Sequence, residues 1–459
     1  MKIIEHDGGC EVELANGARL LYIQHTPSPN YAVGAYVFAG HYDDYDRKPG
    51  LAHFLEHMLF EGSDEVPDIS LSEYFEKNYY QHIGASTSDF LTNIASGYGE
   101  TITLRKDELV PAMTSLVRSA LTPSINPTAM DAERIRIISE IHLRERQMAQ
   151  NPDREAQADF VRKIRPDCFA PGISRIGEVS DAAGTTVEDL RDFHGKYYTA
   201  SRFLFVVTGP TFPLELAKAL DDTFSAVKPG EYMRKSPMPF HSGETVNVSE
   251  HIKENSAFIV FDLPVPLDVR EQIKSALAAE YLSRYWRDYT LKQKKGYDAS
   301  CWPSNNLAMA SMSINFPYNT KEQALQAWRG FIQYVVEAGI EVDEEKFRMI
   351  HRGARDSDTR YEKTGPMIIN DTVAMIGDGF PFITPAEKMA ICDALSPADV
   401  RAFALDLLQR PMALMSSVSD AAQAPSLAEL QEVIAEVAPA SKRPADELKP
   451  SGAIATAEA

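Results

Sequence analysis

Two segments of this 459-residue chain resemble each other across an offset of 210 residues. Residues 186–193 read TVEDLRDF and residues 396–403 read SPADVRAF, so an aspartate, an arginine and a phenylalanine recur at matching positions. Each segment begins with a helix-start signal, a threonine or serine followed three residues later by aspartate, and leads into an apolar, strand-like run. Because each also lies near the end of one half, the repeat predicts a single fold module that occurs twice.

The first half mixes strand and helix patterns. Residues 18–24 and 30–40 predict two paired strands joined by a Pro-Ser-Pro turn. Residues 51–61 have the apolar spacing of a helix, and residues 82–98 predict a strand or a hairpin. Residues 128–150 predict a long helix that begins at a threonine. With strands restarting in the second half, we expect an α+β fold made of two homologous α/β-sandwich domains of about 220 residues each.

The expected domain boundaries follow changes in composition. Residues 229–244 are rich in proline and glycine, and we interpret them as a linker. This interpretation assigns residues 1–228 to an N-terminal domain and residues 245–437 to a homologous C-terminal domain. Residues 438–459 are rich in alanine, proline and charge, and they predict a disordered tail.

Composition disfavours several classes of function. The chain has 46 Lys and Arg against 66 Asp and Glu, a net charge of −20, which disfavours binding to nucleic acid or to anionic membranes. No apolar run approaches the ~18 residues of a membrane span. The opening MKIIEHDGGCEVEL lacks the apolar core of a secretory signal, although a chain already trimmed would look the same. Four widely spaced cysteines fit buried thiols in a reducing compartment, so we expect a cytoplasmic protein.

The residues best suited to chemistry lie in one predicted helix. His53, Glu56 and His57 spell H-x-x-E-H, and helical spacing places both imidazoles and the carboxylate on one side. Two histidines and a further carboxylate can hold a zinc ion that keeps one position for water, and a neighbouring glutamate can take the water's proton. The alternative is a chance pattern. Apolar neighbours such as Leu55 and Met58 argue against chance, because they would bury two histidines at a cost unless they had a partner.

A third ligand is expected from the long helix at 128–150. Glu133 and Glu140 are seven residues apart, about two turns, and therefore share a face. Ile137 and Ile141 flank Glu140 and would carry it into a packed interface. One carboxylate could bind the ion while the other orients a histidine, but the arginines nearby leave a solvated charged face as the alternative.

In combination, these motifs resemble the pitrilysin-type (inverzincin) zinc metallopeptidases, in the branch that contains mitochondrial processing peptidase and its bacterial relatives. The resemblance covers most of residues 10–420 and rests on four blocks: AGHYDDYDRKPGLAHFLEHMLFEGS, GASTSDFLT, AERIRIISEI and DLRDFHGKYYTASRFLFVVTG. It implies one Zn²⁺ per chain, with Glu140 as the third ligand and Glu133 as a supporting carboxylate. It also implies that each chain forms half of a clamshell, in which the C-terminal domain is not catalytic.

The resemblance further implies a substrate-binding segment. Family members hold their substrate as an added β-strand along a segment resembling N-A-x-T-S-x-x-x-T, and such backbone pairing tolerates many side chains. In this chain the segment falls on Gly84, Ala85, Ser86, Thr87 and Ser88, with Thr92 as the later threonine. Glycine replaces the family asparagine, so one side-chain contact to substrate is missing. An ordinary core strand is the alternative for these residues.

A second departure from the family pattern concerns the facing half of the clamshell. Active members there pair an arginine with a tyrosine seven residues later, whereas this chain has Thr290 at the arginine position and Tyr297 at the tyrosine position. The helix that matches the zinc helix carries Leu277 and Tyr281 instead of histidines. The resemblance therefore implies the zinc-bearing subunit of a heterodimer whose homologous partner supplies the arginine and tyrosine, in preference to a homodimer.

These features together predict a zinc metalloendopeptidase. It would cleave peptides or unfolded segments inside a chamber formed with a second subunit, by attack of a zinc-bound water assisted by Glu56. The alternative is a non-catalytic scaffold subunit of a larger complex that retained its zinc. Scaffold members of the family usually lose zinc-helix residues, whereas His53, Glu56 and His57 are all present here.

Overall fold

The computed structural model describes residues 1–44, 48–63, 69–88, 90–96, 101–148, 154–166, 176–231, 239–263, 268–292, 300–306, 309–338, 344–360, 363–377 and 380–438. Within these ranges the strands form two sheets, one from each half of the chain. Helices cover the sheets, so the expected pair of α/β domains is confirmed.

The first sheet contains eight strands. They are β1 (Lys2–His6), β2 (Gly9–Glu13), β3 (Arg19–Gln24), β4 (Tyr31–Val37), β5 (Gly84–Thr87), β6 (Thr92–Ser96), β7 (Ile102–Leu104) and β8 (Phe203–Gly209). Their order is β1-β2-β3-β8-β4-β6-β5, and β7 also pairs with β4. The predicted pairing of residues 18–24 with 30–40 is wrong, because β8 lies between these strands, parallel to β3 and antiparallel to β4. All seven residues of β8 are buried, which suits a central strand covered on both faces.

The helices of the first half include the two that form the candidate site. They are α1 (Leu51–Met58), α2 (Leu71–Tyr79), α3 (Leu109–Leu121), α4 (Pro127–Met148), α5 (Arg154–Ile164), α6 (Val179–Gly184), α7 (Val187–Tyr197) and α8 (Leu214–Ser225). The helix predicted over 51–61 is three residues shorter. The helix predicted from Thr128 begins one residue earlier, since the Asn126 side chain accepts the backbone N–H of Ala129 at 3.0 Å.

The second half repeats the arrangement with fewer strands. Its strands are β9 (Glu244–Val248), β10 (Asn255–Leu263), β11 (Ser300–Asn306), β12 (Met309–Tyr318) and β13 (Met412–Val418), in the order β11-β12-β10-β13-β9. Its helices are α9 (Val269–Lys292), α10 (Lys321–Gln333), α11 (Glu344–Arg360), α12 (Gly365–Gly377), α13 (Pro385–Asp393), α14 (Pro397–Leu407) and α15 (Leu427–Val437).

The repeat predicted from the sequence is present in the structure. Helices α7 and α14 begin with the same reciprocal capping box, Thr186 with Asp189 and Ser396 with Asp399. Each helix leads into a central strand, β8 or β13, that pairs parallel with one neighbour and antiparallel with the other. The same local signals therefore build the same strand environment in both halves.

Each half also covers one face of the other half's sheet. Alternate residues of β3 and β8 face opposite sides, and the side away from the main core packs against α12 through residues such as Ile369 and Val373. In return, α5 packs Phe160 and Ile164 against the second sheet. Next to α5, the buried Arg165 pairs with Asp262 at 2.7 Å. This exchange of helices joins the two halves through apolar packing.

Several other expectations can be compared with the structure. Cys10, Cys301 and Cys392 are buried free thiols, as predicted, whereas Cys168 lies outside the described residues. No helix in the described ranges has the length and apolar character needed to cross a bilayer. The domain boundaries stay a prediction. The expected tail lies outside the described residues beyond Ala438.

Candidate metal centre

Close packing and hydrogen bonds fix the start of α1, the helix that carries both histidines. Gly50 adopts a left-handed conformation with φ of 87°, and a Cβ atom there would lie 2.5 Å from the carbonyl oxygen of Ile176. The buried Asp44 carboxylate accepts the backbone N–H groups of Gly50 and Ala52 at 3.0 and 2.8 Å. Burial raises the pKa of the Asp44 carboxyl to about 8, although these two hydrogen bonds oppose the change.

The structure brings together the three residues expected to bind zinc. His53 Nε2 lies 3.3 Å from Oε2 of Glu140, and His57 Nε2 lies 3.7 Å from the same oxygen. One ligand atom from each of these three residues lies within 4.8 Å of the others. Two imidazole nitrogens and a carboxylate oxygen form a donor set typical of catalytic zinc, so the residues present fit this ion.

Glu133, the expected supporting carboxylate, contacts the opposite nitrogen of the second histidine. His57 Nδ1 lies 2.8 Å from Oε2 of Glu133, which is buried. Because a carboxylate only accepts, the hydrogen resides on Nδ1, and Nε2 is directed toward Glu140. This arrangement sets the tautomer and the ring orientation that a metal-binding histidine needs.

The electrostatics of the cluster favour a cation. Burial would lower the pKa of His57, but its hydrogen bonds with Glu133 and Glu140 raise it to about 9. Hydrogen bonds from His53 and His57 hold the pKa of Glu140 well below its usual range. The site thus concentrates negative charge beside two imidazoles, where a divalent ion can replace a bound proton.

Glu56 lies on the same helix as both histidines and is half-buried. Its charge contributes to the raised pKa of His57. The pKa of Tyr198 is raised mainly by burial and further by the charge of Glu56. The carboxylate therefore acts electrostatically on the cluster without belonging to the three-ligand set. This is the placement expected of a proton acceptor beside a metal ion.

The predicted substrate-binding segment Gly84, Ala85, Ser86 and Thr87 forms β5, at one end of the first sheet. In the described residues β5 pairs with β6, and its side chains are half-buried or exposed, so it is an edge strand and not a core strand. Thr87 and Thr92 are linked through their hydroxyl groups at 3.2 Å.

The residues expected to face a partner's zinc are less fully described. Tyr297 lies outside the described residues, and Thr290 lies in α9. Leu277 and Tyr281, the residues expected at the histidine positions, lie in α9 and are buried, and the Tyr281 hydroxyl lies 2.7 Å from that of Tyr334. Both side chains therefore contribute to the packed core of this half.

Two arginines of α4 have a role at the site that was not predicted from the sequence. Their charges left a solvated face as the alternative for this helix, but Arg144 pairs with Oε1 of Glu140 at 2.7 Å and Arg136 pairs with Glu133. Each arginine follows its glutamate by three or four residues on one helix. That spacing is a signal from which both pairs could have been predicted.

Two family models match the chain. The model described as Insulinase (Peptidase family M16) matches residues 19–162, and the model described as Peptidase M16 inactive domain matches residues 185–352. Protease 3 of Escherichia coli K12 is 29% identical over 222 residues, which are 47% of this chain and 22% of that protein. A probable mitochondrial-processing peptidase subunit beta of Arabidopsis thaliana is 24% identical over 212 residues, which are 46% of this chain and 38% of that protein. The aligned region thus spans less than half of either relative.

Solved structures share the fold over nearly the whole chain. The first half of the periplasmic protease PqqL from Escherichia coli superposes with a TM-score of 0.75 at 18% identity, covering 95% of this chain and 98% of that one. Pitrilysin superposes with a TM-score of 0.71 at 19% identity, covering 95% of this chain and 50% of pitrilysin. These likenesses show the half-clamshell fold. The two family models, which together match more than half of the chain, show that it belongs to the M16 (insulinase/pitrilysin) family of peptidases.

Proposed function

We propose that the chain is a zinc-dependent endopeptidase whose metal is held by His53, His57 and Glu140. The observation that supports this most directly is the convergence of these three donors within 4.8 Å, two from α1, which also carries Glu56, and one from α4. When bound, zinc supplies a Lewis acid that polarises a peptide carbonyl and lowers the pKa of water.

The protein residues supply the remaining steps of the proposed mechanism. Glu56 takes a proton from the attacking water and then delivers it to the leaving amine. Glu133 accepts the Nδ1–H of His57 and keeps Nε2 directed into the site. β5 binds the substrate backbone as an added strand, which suits peptides and unfolded segments and excludes folded proteins.

We further propose that the active enzyme needs a second, homologous half. The chain covers 98% of the first half of PqqL but only 50% of pitrilysin, and two of its relatives are named as subunits of a processing peptidase. A homodimer would present Thr290 where the family uses an arginine. The proposed partner is therefore a related chain that supplies the arginine and tyrosine and lacks H-x-x-E-H.

The proposal is tested by measuring zinc content together with cleavage of an unstructured peptide library. Wild type and Glu56→Gln are assayed alone and then with a homologous chain that lacks H-x-x-E-H. Glu73→Gln is the matched control, because Glu73 lies on α2 and pairs with Lys77 at 2.6 Å on the surface. We expect zinc in all three proteins, and cleavage that requires the partner and is lost only in Glu56→Gln.

Other outcomes would overturn specific parts of the proposal. Full activity of the chain alone would contradict the proposed heterodimer but would still support the proposed peptidase activity. Stoichiometric zinc without cleavage in either condition would favour a scaffold subunit that kept its metal.

A further inference from the structure

The two oxygens of the buried Glu133 carboxylate have different partners. Oε2 accepts the Nδ1–H of His57 at 2.8 Å, and Oε1 contacts the guanidinium of Arg136. The side chain of Glu133 is 2% exposed, so both oxygens depend on protein partners instead of water. The orientation of this carboxylate is therefore determined from two sides.

Arg136 is itself anchored on the segment that follows the other helix of the site. Its Nη1 lies 3.1 Å from Oε1 of Glu61, three residues beyond the end of α1. The guanidinium thus links α4 to the segment after α1, and a continuous chain of contacts runs from Glu61 through Arg136 and Glu133 to His57. A planar guanidinium is suited to bridging two carboxylates, whereas an ammonium is a single point charge.

Loss of this cation would change the balance of forces on Glu133. The carboxyl groups of Glu61 and Glu133 lie within hydrogen-bond reach of each other, and Arg136 is the cation that both of them contact. Without it, the two carboxylates would repel each other at close range. Rotation of the Glu133 carboxylate relieves this repulsion but breaks its hydrogen bond with His57. The imidazole would then lose the contact that sets its tautomer and orientation.

We propose that Arg136, anchored by Glu61, is a positioning residue for the metal centre, because it holds Glu133 in the orientation that directs Nε2 of His57 toward the ion. The inference rests on the proposed function, since it takes His57 to be a metal ligand. It adds two residues, Arg136 and Glu61, that act on the site without touching the metal or the substrate.

The test measures metal binding directly, without an activity assay. Zinc affinity is determined by competition with a chelator, and the visible absorption of the Co²⁺-substituted protein reports the coordination geometry. The variants are Arg136→Met, which keeps the apolar stem, Arg136→Lys, which keeps the charge, and Glu61→Gln, which removes the anchor. Arg284→Met is the control, because Arg284 pairs with Glu280 on the surface of α9 at 2.7 Å.

We expect Arg136→Met to weaken zinc binding by about tenfold and to alter the Co²⁺ spectrum, with part of the affinity recovered in Arg136→Lys. Glu61→Gln should have a smaller effect in the same direction, and Arg284→Met should match wild type. A purely structural role for Arg136 would lower thermal stability and leave the Co²⁺ spectrum unchanged.

Zinc affinity and a Co²⁺ spectrum indistinguishable from wild type in Arg136→Met would overturn the inference. If that variant does not fold, Glu61→Gln decides the question, because unchanged metal binding there would contradict the anchoring of Arg136 by Glu61 and overturn the inference. Failure of the wild type itself to bind zinc or Co²⁺ would instead overturn the proposed function, and the inference with it.

Discussion

Nδ1 of His57 lies 2.8 Å from Oε2 of Glu133, while Nε2 of the same ring lies 3.7 Å from Oε2 of Glu140. The Glu133 carboxylate therefore orients the imidazole. The Glu140 carboxylate and Nε2 of the ring both face the position that the ion would occupy. Both carboxylates come from α4, two turns apart, so a single helix supplies a ligand and the group that aligns another ligand.

This division predicts different consequences for the two glutamates. Glu133→Ala should weaken zinc binding by about 10- to 100-fold, because the Nδ1–H of His57 loses its acceptor while all three ligands remain. Glu140→Ala removes a ligand and should abolish stoichiometric zinc. Competition with a chelator measures both. Glu145→Ala is the control, because Glu145 is exposed on the same helix. Equal affinities for Glu133→Ala and Glu145→Ala would contradict the orienting role.

Two helical glycines should respond differently to substitution by alanine, because one packs against the first sheet and the other faces open space. A Cβ atom at Gly365 would lie 2.9 Å from the Cβ of Ala32 and would also meet the side chain of Thr208, both in buried strands. Gly365→Ala should therefore destabilise the protein by about 1–3 kcal/mol through overpacking. Gly353 on α11 has no atom within 4 Å of the corresponding position, so Gly353→Ala should be neutral or stabilising by up to about 1 kcal/mol.

Denaturant unfolding of the two variants beside wild type measures the difference. Destabilisation in Gly365→Ala with no change in Gly353→Ala would also support the exchange of helices between the halves. A neutral result at Gly365 would mean that α12 can move away from the sheet at little cost.

Local signals explain what could be predicted from the sequence. Helices α1 and α4 and the ligand set that they carry follow from residue spacing along single helices. The repeat follows from two capping boxes that act within four residues. The cap of α4 was misassigned by two residues, from Asn126 to Thr128, because both residue types accept the same hydrogen bond.

Long-range arrangements could not be derived in this way. Residues 18–24 and 203–209 are both apolar strands, but periodicity carries no information on which strands become neighbours, and β8 separates β3 from β4. The contact between Arg136 and Glu61 depends on how α1 docks against α4, 75 positions apart in sequence. The spacing of Arg136 and Glu133 could suggest an ion pair but not the anchor at Glu61.

The two capping boxes predict a matched pair of stability changes. Burial would raise the pKa of Asp189, but hydrogen bonds from Lys48 and Thr186 lower it below the ordinary value of 3.8. Hydrogen bonds from Ser396 lower the pKa of Asp399 in the same way. Asp189→Ala and Asp399→Ala should each cost about 1 kcal/mol at neutral pH, since each removes acceptors at a helix start.

The sign of the pH dependence follows from these lowered pKa values. The stabilisation by each carboxylate is present above pH 3.8 and is lost as the pH falls through the lower folded value. Unfolding measured from about pH 7 to about pH 3 should therefore show the variants converging with wild type in acid. Asp222→Ala, at an exposed position in α8, is the control. A deficit that persists unchanged in acid would show that the carboxylate charge is not responsible.

Since the proposed function takes β5 to bind substrate, its edge position predicts that N-methylation of substrate amides lowers cleavage at every second position. The backbone N–H of Ser88 donates to Leu91 at 2.8 Å, toward β6, so the N–H of Thr87 faces the free edge. In a peptide paired there, every second backbone amide would point toward β5, and the intervening amides would point away from it. N-methylation of a paired amide should lower kcat/KM by about fivefold per lost hydrogen bond, whereas methylation of an intervening amide should have little effect.

The measurement is cleavage of one unstructured peptide methylated at each position in turn, by the zinc-loaded enzyme with its partner. Because a methyl group is equally bulky at every position, an effect that falls smoothly with distance from the scissile bond, without alternation, would contradict strand addition at β5.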